Sequence, residues 1–286
     1  TKVSLMLQML EAKKGWTSPE VAEVAEKEGV TRKFVRQKVA SGRVVIPKNN
    51  KREIPAIGIG EGLRVKVNAN VGVSETKGTV KDEVKKAKRA VEAGADTVMD
   101  LSIGPRSKKT RKAILKAVKV PVGTVPIYDC KRVDEDSVFK TIEKHLRDGV
   151  DFITVHCGVT KESVQELKKQ RRLIPMVSRG GAILADYIMQ TGEENPLYKN
   201  YDYLLELAKE HDATLSLGDG MRPGCLKDAT DRPQLKELEI LGKLVRRARR
   251  NNVQAMVEGP GHIPLNQIKE NVELEKKICA GAPFYV

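Results

Sequence analysis

The feature that most constrains this chain is a repeated exchange of two patterns. From residue 63 onward, short apolar runs rich in β-branched residues alternate with longer charged stretches of helical period. The runs are LRVKVNAN (63–70), DTVMDLS (96–102), VPVGTVPIY (120–128), DFITVHCG (151–158), IPMVSRGG (174–181), ATLSLGDG (213–220), VQAMVEGPG (253–261) and PFYV (283–286). Between them lie the amphipathic segments 80–94, 137–149, 200–212 and 235–252. Mostly apolar strands separated by amphipathic helices belong to a parallel sheet covered by helices. About eight such units predict an α/β fold, a (β/α)8 TIM-type barrel, over residues 56–286, expected to be incomplete at its carboxyl end. A doubly wound sheet would carry G-x-G-x-x-G after its first strand. Here Gly58-Ile-Gly60-Glu-Gly62 precedes that strand and has the wrong spacing.

Residues 1–55 read as a separate helical segment. TKVSLMLQMLEAKKGW has too short an apolar stretch and no small-residue cleavage site, so it reads as an amphipathic helix rather than a signal peptide. Thr17-Ser-Pro-Glu20 fits a capping box with proline just inside the helix, and Gly29 is placed to end that helix. Thr31 can cap a second, basic helix closed by Gly42. Val21, Ala25, Gly29 and Val35 sit as in a helix-turn-helix, but two short helices packed on a larger domain have the same pattern.

No apolar run approaches the ~18–20 residues that cross a bilayer, which predicts a cytoplasmic protein without a membrane partner. Cys130, Cys157, Cys225 and Cys279 are far apart and predict packed thiols, not a disulfide framework. Lys and Arg outnumber Asp and Glu by 52 to 38, a net charge of +14, which suits an anionic partner. Basic runs such as 106–112 and 246–250 are scattered over helices, which favours a phosphorylated metabolite over nucleic acid.

Polar residues recur where the strands end. Asn70, Met99, Tyr128, His156, Ser178, Asp219 and Glu258 each close a run or start the loop after it. In a barrel these ends converge on one mouth, so the set predicts a ring of ligand contacts. Ser178-Arg179-Gly180-Gly181 combines a hydroxyl, a guanidinium and open backbone at a helix start, which suits a phosphate. Asp219-Gly220-Met221-Arg222-Pro223-Gly224 places a carboxylate beside a second anion contact on a tight turn. Glu258-Gly-Pro-Gly-His262 can offer a substrate acceptor and one metal ligand. His145 and His211 lie in helical patterns and read as surface residues.

NANVG, GADTVMDLS, PVGTVPIY, VSRGG, ENPLY, LSLGDGMRPG, VEGPGH and GAPFYV, in this order, resemble the phosphomethylpyrimidine synthases, the thiamin pyrimidine synthases. The similarity covers nearly the whole chain and is strongest over 64–286. The resemblance implies a radical S-adenosyl-L-methionine lyase that converts 5-aminoimidazole ribotide to 4-amino-5-hydroxymethyl-2-methylpyrimidine phosphate, with formate and carbon monoxide released. It carries substrate contacts onto Asn70, Met99, Tyr128, His156, Ser178, Arg179, Gly180, Asp219, Gly220, Met221, Arg222, Glu258 and Tyr285. It carries one ligand of a Zn2+ or other divalent metal site onto His262. It also implies a [4Fe–4S] cluster whose closely spaced cysteines lie beyond the equivalent of Val286, so the chain as given is expected to be inactive by itself. A homodimer is expected of the complete protein. DLSIGPRS stands where the family usually has DLSTG, and Cys157 where a small alanine is expected. The alternatives are a 5-hydroxybenzimidazole synthase using the same ribotide, and a non-catalytic ligand- or DNA-binding regulator.

Overall fold

The structure, a computed structural model, describes residues 17–286. The expectation of an amphipathic helix over 1–16 lies outside the described residues. Helix α1, Pro19–Glu28, starts at Ser18, whose hydroxyl accepts from the Val21 N–H at 3.2 Å. The cap is therefore Ser18 rather than Thr17, because Pro19 takes the first helical position, where no N–H is needed. Thr31 caps α2, Arg32–Ala40, as expected, accepting from Phe34 N–H at 3.1 Å. Val21, Val24, Ala25, Val35, Val39, Val44, Ile46 and Ala56 bury together as a small core beside the main one. Strand β1, Val44–Val45, pairs antiparallel with β2, Ile59–Gly60.

The main sheet is parallel and runs in chain order. It comprises β3 (Asn68–Val71), β4 (Thr97–Asp100), β5 (Val122–Thr124), β6 (Phe152–Val155), β7 (Thr214–Leu217), β8 (Ala255–Glu258) and β9 (Phe284–Tyr285). Helices α3 (Val80–Glu92), α4 (Ser107–Ala117), α5 (Glu135–Asp148), α6 (Lys161–Lys169), α7 (Arg179–Thr191), α8 (Pro196–Lys199), α9 (Tyr201–His211), α10 (Arg232–Arg250) and α11 (Ile268–Ile278) connect and cover it. Strands β4, β6, β7 and β8 are buried along their whole length, as strands with both faces covered must be. The sheet curls until the Asn68 amide donates to the Tyr285 hydroxyl at 3.1 Å, so its two outer strands touch.

One expected strand is missing. Residues 174–178 are irregular, and β6 pairs directly with β7. The ladder is lost for a local reason. Pro175 has no N–H, and those of Leu173 and Ile174 are taken by the Asp228 carboxylate at 3.1 Å each. The described sheet thus has seven strands in place of eight.

The amino ends of the strands are closed by residues 46–52. Asn49 N–H donates to Asp151 Oδ1 at 2.9 Å, and its side chain donates to the carbonyls of Leu146 and Val150 at 3.0 Å. Arg52 reaches the carbonyls of Val118 and Val120, and Ile46 pairs with Gln254. Among the described residues these contacts cover the amino ends of the strands, leaving the carboxyl ends as the side where the polar strand-end residues lie.

Two histidines read as surface residues are buried. His145 on α5 points at the sheet, where Thr124 Oγ1 lies 2.9 Å from Nδ1 and Asp129 Oδ2 3.0 Å from Nε2. His211 ends α9 and is 5% exposed. Helical period marked their segments but not which side of each helix meets the sheet. No helix of the described residues is long and apolar enough to cross a membrane.

Candidate active site

Strand register sets the site. Asn70 is opposite Met99, Met99 opposite Gly123, Thr154 opposite Ser216, and Glu258 opposite Tyr285. Side chains at alternate positions share a face, so these residues form one stripe inside the curved sheet. Two glycines make room in it. A Cβ on Gly123 would overlap the Phe152 ring, and one on Gly180 would overlap the His156 imidazole.

Glu258 ends β8 and is buried. Its Oε1 accepts from Thr154 Oγ1 at 2.8 Å and from Ser216 Oγ at 3.0 Å. Asp219 lies two residues past β7, also buried; Arg222 Nη1 donates to its Oδ1 at 3.1 Å, while its Oδ2 has no protein partner. Burial raises the proton affinity of both carboxyls. Their mutual repulsion raises that of Glu258 further, and Arg222 opposes the rise on both. His156 follows β6 and is fully enclosed. Burial, then the nearby Arg222 cation, push its pKa down to about 3, so the ring is neutral at pH 7, and its Nδ1 has no protein partner.

Tyr128 sits not on a strand but on the 3₁₀ turn Pro126–Asp129 beyond β5, with the Arg179 guanidinium 5.4 Å from its ring centroid. Burial raises its pKa, and Arg222, Glu258, Arg179 and Asp219 all act on it. Tyr128 therefore shares one electrostatic environment with the residues ending β7 and β8. Ser178 caps α7, its Oγ accepting from Gly181 N–H at 3.1 Å. Gly181 packs on Gly220, where a Cβ would come 2.6 Å from the Gly220 carbonyl oxygen. That close approach brings the start of α7 against the 219–222 loop.

The sequence-expected residues therefore assemble at one mouth, with two qualifications. The Met221 side chain is fully buried; its N–H donates to Glu237 Oε2 at 2.7 Å and its carbonyl accepts from Arg172 Nη2 at 2.6 Å. His262 is exposed on the turn after β8, close enough to Asp219 to act on its charge. Sequence reasoning passed over Asn68, Thr154, Ser216, Arg172 and Glu237. Asn68 and Thr154 lie two residues before Asn70 and His156, so period-two spacing could have found them, whereas Ser216 lies three before Asp219 and is off that period. Arg172 and Glu237 carry no such local signal.

Among the described residues no three His, Cys, Asp or Glu side chains gather as a metal would require. His262 alone is one ligand where a zinc site needs at least three from protein. Cys157 and Cys279 are buried, with their thiol pKa values pushed up by burial, and none of the four cysteines is paired. These cysteines do not fit a [4Fe–4S] cluster, which needs converging thiolates.

The chain matches the Radical SAM ThiC family over residues 7–286. It is 54% identical over 292 aligned residues to phosphomethylpyrimidine synthase 2 of Methanothermobacter thermautotrophicus, covering 98% of this chain and 69% of that protein. It is 53% identical to phosphomethylpyrimidine synthase of Methanocaldococcus jannaschii, covering 98% and 68%. For the Thermus thermophilus protein of the same name the identity is 51%, covering 98% and 67%. Among solved structures, a dihydropteroate synthase of Xanthomonas albilineans aligns over 84% of this chain and 77% of that chain, at 12% identity and a TM-score of 0.48.

Proposed function

The chain belongs to the Radical SAM ThiC family, and on that premise we propose that its strand-end site holds 5-aminoimidazole ribotide for conversion to the hydroxymethylpyrimidine phosphate of thiamine biosynthesis. The observation that carries this reading is the pair of buried carboxyls, Glu258 at the end of β8 and Asp219 just past the adjacent β7, with Asp219 Oδ2 unpartnered. A buried polar atom without a protein partner is rare, and an exocyclic amine or a ribose hydroxyl is the donor it lacks.

The division of labour follows from the chemistry of each wall. The first N–H groups of α7 have no intrahelical acceptor, and the helix dipole favours an anion there, so Ser178, Arg179 and Gly180 take the phosphate. Arg222 adds a second cation from the facing loop. Asn70, Tyr128, His156, Asp219, Glu258 and Tyr285 surround the ribose and imidazole. The neutral His156 ring offers a hydrogen bond without placing a cation beside the heterocycle. S-adenosylmethionine would supply the radical when bound. The residues described here bind the substrate, orient it, keep water out and hold a proton on the carboxyl pair.

Calorimetric titration with 5-aminoimidazole ribotide and with an analogue lacking the exocyclic amine tests this. The ribotide should bind and the analogue should bind about tenfold more weakly, the loss expected when a buried acceptor is left unpaired. Failure of the ribotide to bind would refute the assignment. Product analysis after anaerobic incubation with S-adenosylmethionine, using a polypeptide that also carries the cluster cysteines, then distinguishes a pyrimidine phosphate from a benzimidazole.

A further inference from the structure

The two walls of the site sit on segments the sheet does not hold. Residues 171–178, leading to Ser178, make no ladder bonds, and neither does the 219–230 stretch that carries Asp219 and Arg222. The Gly181–Gly220 backbone approach fixes one point of contact between them, and side chains supply the other ties, with Arg172 making the most bonds across the gap.

The Arg172 side chain is 1% exposed, and every N–H of its guanidinium has an acceptor. Nε donates to Asp231 Oδ2 at 2.6 Å, and Nη2 donates to Asp231 Oδ1 at 2.7 Å and to the Met221 carbonyl at 2.6 Å. Nη1 donates to the Pro175 carbonyl at 3.2 Å and to the Arg222 carbonyl at 3.4 Å. The fork thus ties the stretch before Ser178 to the loop after Asp219, and both to Asp231, the N-cap of α10. The same helix carries Glu237, which takes the Met221 N–H at 2.7 Å. The 219–222 loop is held by its carbonyls from one side and by an N–H from the other. A second tie runs the opposite way, from the Leu173 and Ile174 N–H groups to Asp228.

We propose that Arg172 is a positioning residue that sets the distance between the anion-binding start of α7 and the Asp219–Arg222 loop. It touches no ligand. A substrate that spans both walls gains from both only if their spacing matches its own, and a rigid planar fork with all donors engaged holds that spacing where a lysine, with one flexible ammonium, does not. This inference rests on the reading that the phosphate sits at α7 and the heterocycle at the carboxyl pair.

The test compares the Kd for the ribotide with that for its dephosphorylated riboside, in the wild-type chain, Arg172→Lys and Asp231→Asn. Asparagine caps a helix about as well as aspartate, so Asp231→Asn keeps α10 while weakening one anchor of the fork. In the wild type the phosphate should improve affinity by about tenfold or more, as charge-assisted bonds to a phosphate do. In Arg172→Lys that advantage should shrink to about threefold or less, with Asp231→Asn between the two, because the ligand can no longer satisfy both walls at once. A merely structural residue would lower the melting temperature without changing this ratio at a temperature where the protein is folded. An unchanged ratio in both folded variants overturns the proposal. If Arg172→Lys does not fold, the ratio in Asp231→Asn decides. If the wild type does not distinguish ribotide from riboside, the placement of the phosphate at α7 fails, and the inference falls with it.

Discussion

Thr154 on β6 donates to Glu258 on β8 at 2.8 Å, reaching past β7, whose Ser216 donates to the same carboxylate oxygen at 3.0 Å. Inward positions of three consecutive strands are thus spent on one carboxyl group. Thr154→Val keeps the shape and removes one donor to the charged form. Burial then meets less opposition, so the Glu258 carboxyl should titrate at a higher pH than in the wild type. Carbon-13 NMR of labelled glutamate reads this directly, and an unshifted titration would contradict it. Stability at neutral pH should fall by about 1 kcal/mol, the ordinary worth of one hydrogen bond.

Gly180→Ala places a methyl group where the His156 imidazole lies. The ring is enclosed on its other side by Gly218, where an added Cβ would lie 2.9 Å from His156 Cδ2. The ring therefore has no free space to retreat into, and the start of α7 must shift. Ribotide affinity should fall by about tenfold or more while the circular-dichroism spectrum stays folded. Unaltered affinity would place the ligand elsewhere.

Asp151 anchors the closed end of the sheet, taking N–H bonds from Asn49 at 2.9 Å and Val122 at 2.8 Å, with Arg52 beside it at 3.4 Å. Two donors face its two oxygens, so Asp151→Asn must set an amide N–H against one of them. The expected cost is about 2–4 kcal/mol at pH 7, measured by urea unfolding. Burial holds the pKa of this group up to about 6 despite Arg52. A loss below about 1 kcal/mol would show that this contact does not close the barrel floor.

Glu275 on α11 is fully buried and neither carboxylate oxygen has a partner. Burial pushes its pKa up to about 8, against the pull of Lys276 and Arg249. The folded value lies above the ordinary 4.5, so the protonated form favours folding. That contribution is full below about pH 4.5 and is lost as pH rises through about 8. Glu275→Met removes the buried charge, so the variant should be more stable than the wild type at pH 9, by about 1–3 kcal/mol, and little different at pH 4. Thermal melts across that range check the sign; a variant less stable at pH 9 would reverse the argument.

The elements themselves were written locally. Period-two and period-3.6 patterns placed helices α1, α2, α3, α5, α9 and α10 and seven of the eight expected strands, and Gly29 and Thr31 ended and began their helices as their chemistry requires. Most of the candidate site's convergence was legible for the same reason, since in a parallel curved sheet the ends of successive strands must share one mouth. What failed depended on partners far along the chain. Residues 174–178 look like a strand but lose their ladder to Pro175 and to Asp228, about fifty residues away. His145 looks like a helix-surface residue until Thr124 and Asp129 enclose it. Arg172 and Glu237 stand in ordinary charged stretches, and only packing brings both to the 219–222 loop. Sequence by itself determined the repeating elements and the ring of residues at their ends, because hydrophobic period and capping act within a few residues. Tertiary structure alone decided which buried charges meet, because desolvation leaves each of them dependent on whichever distant group the fold places beside it.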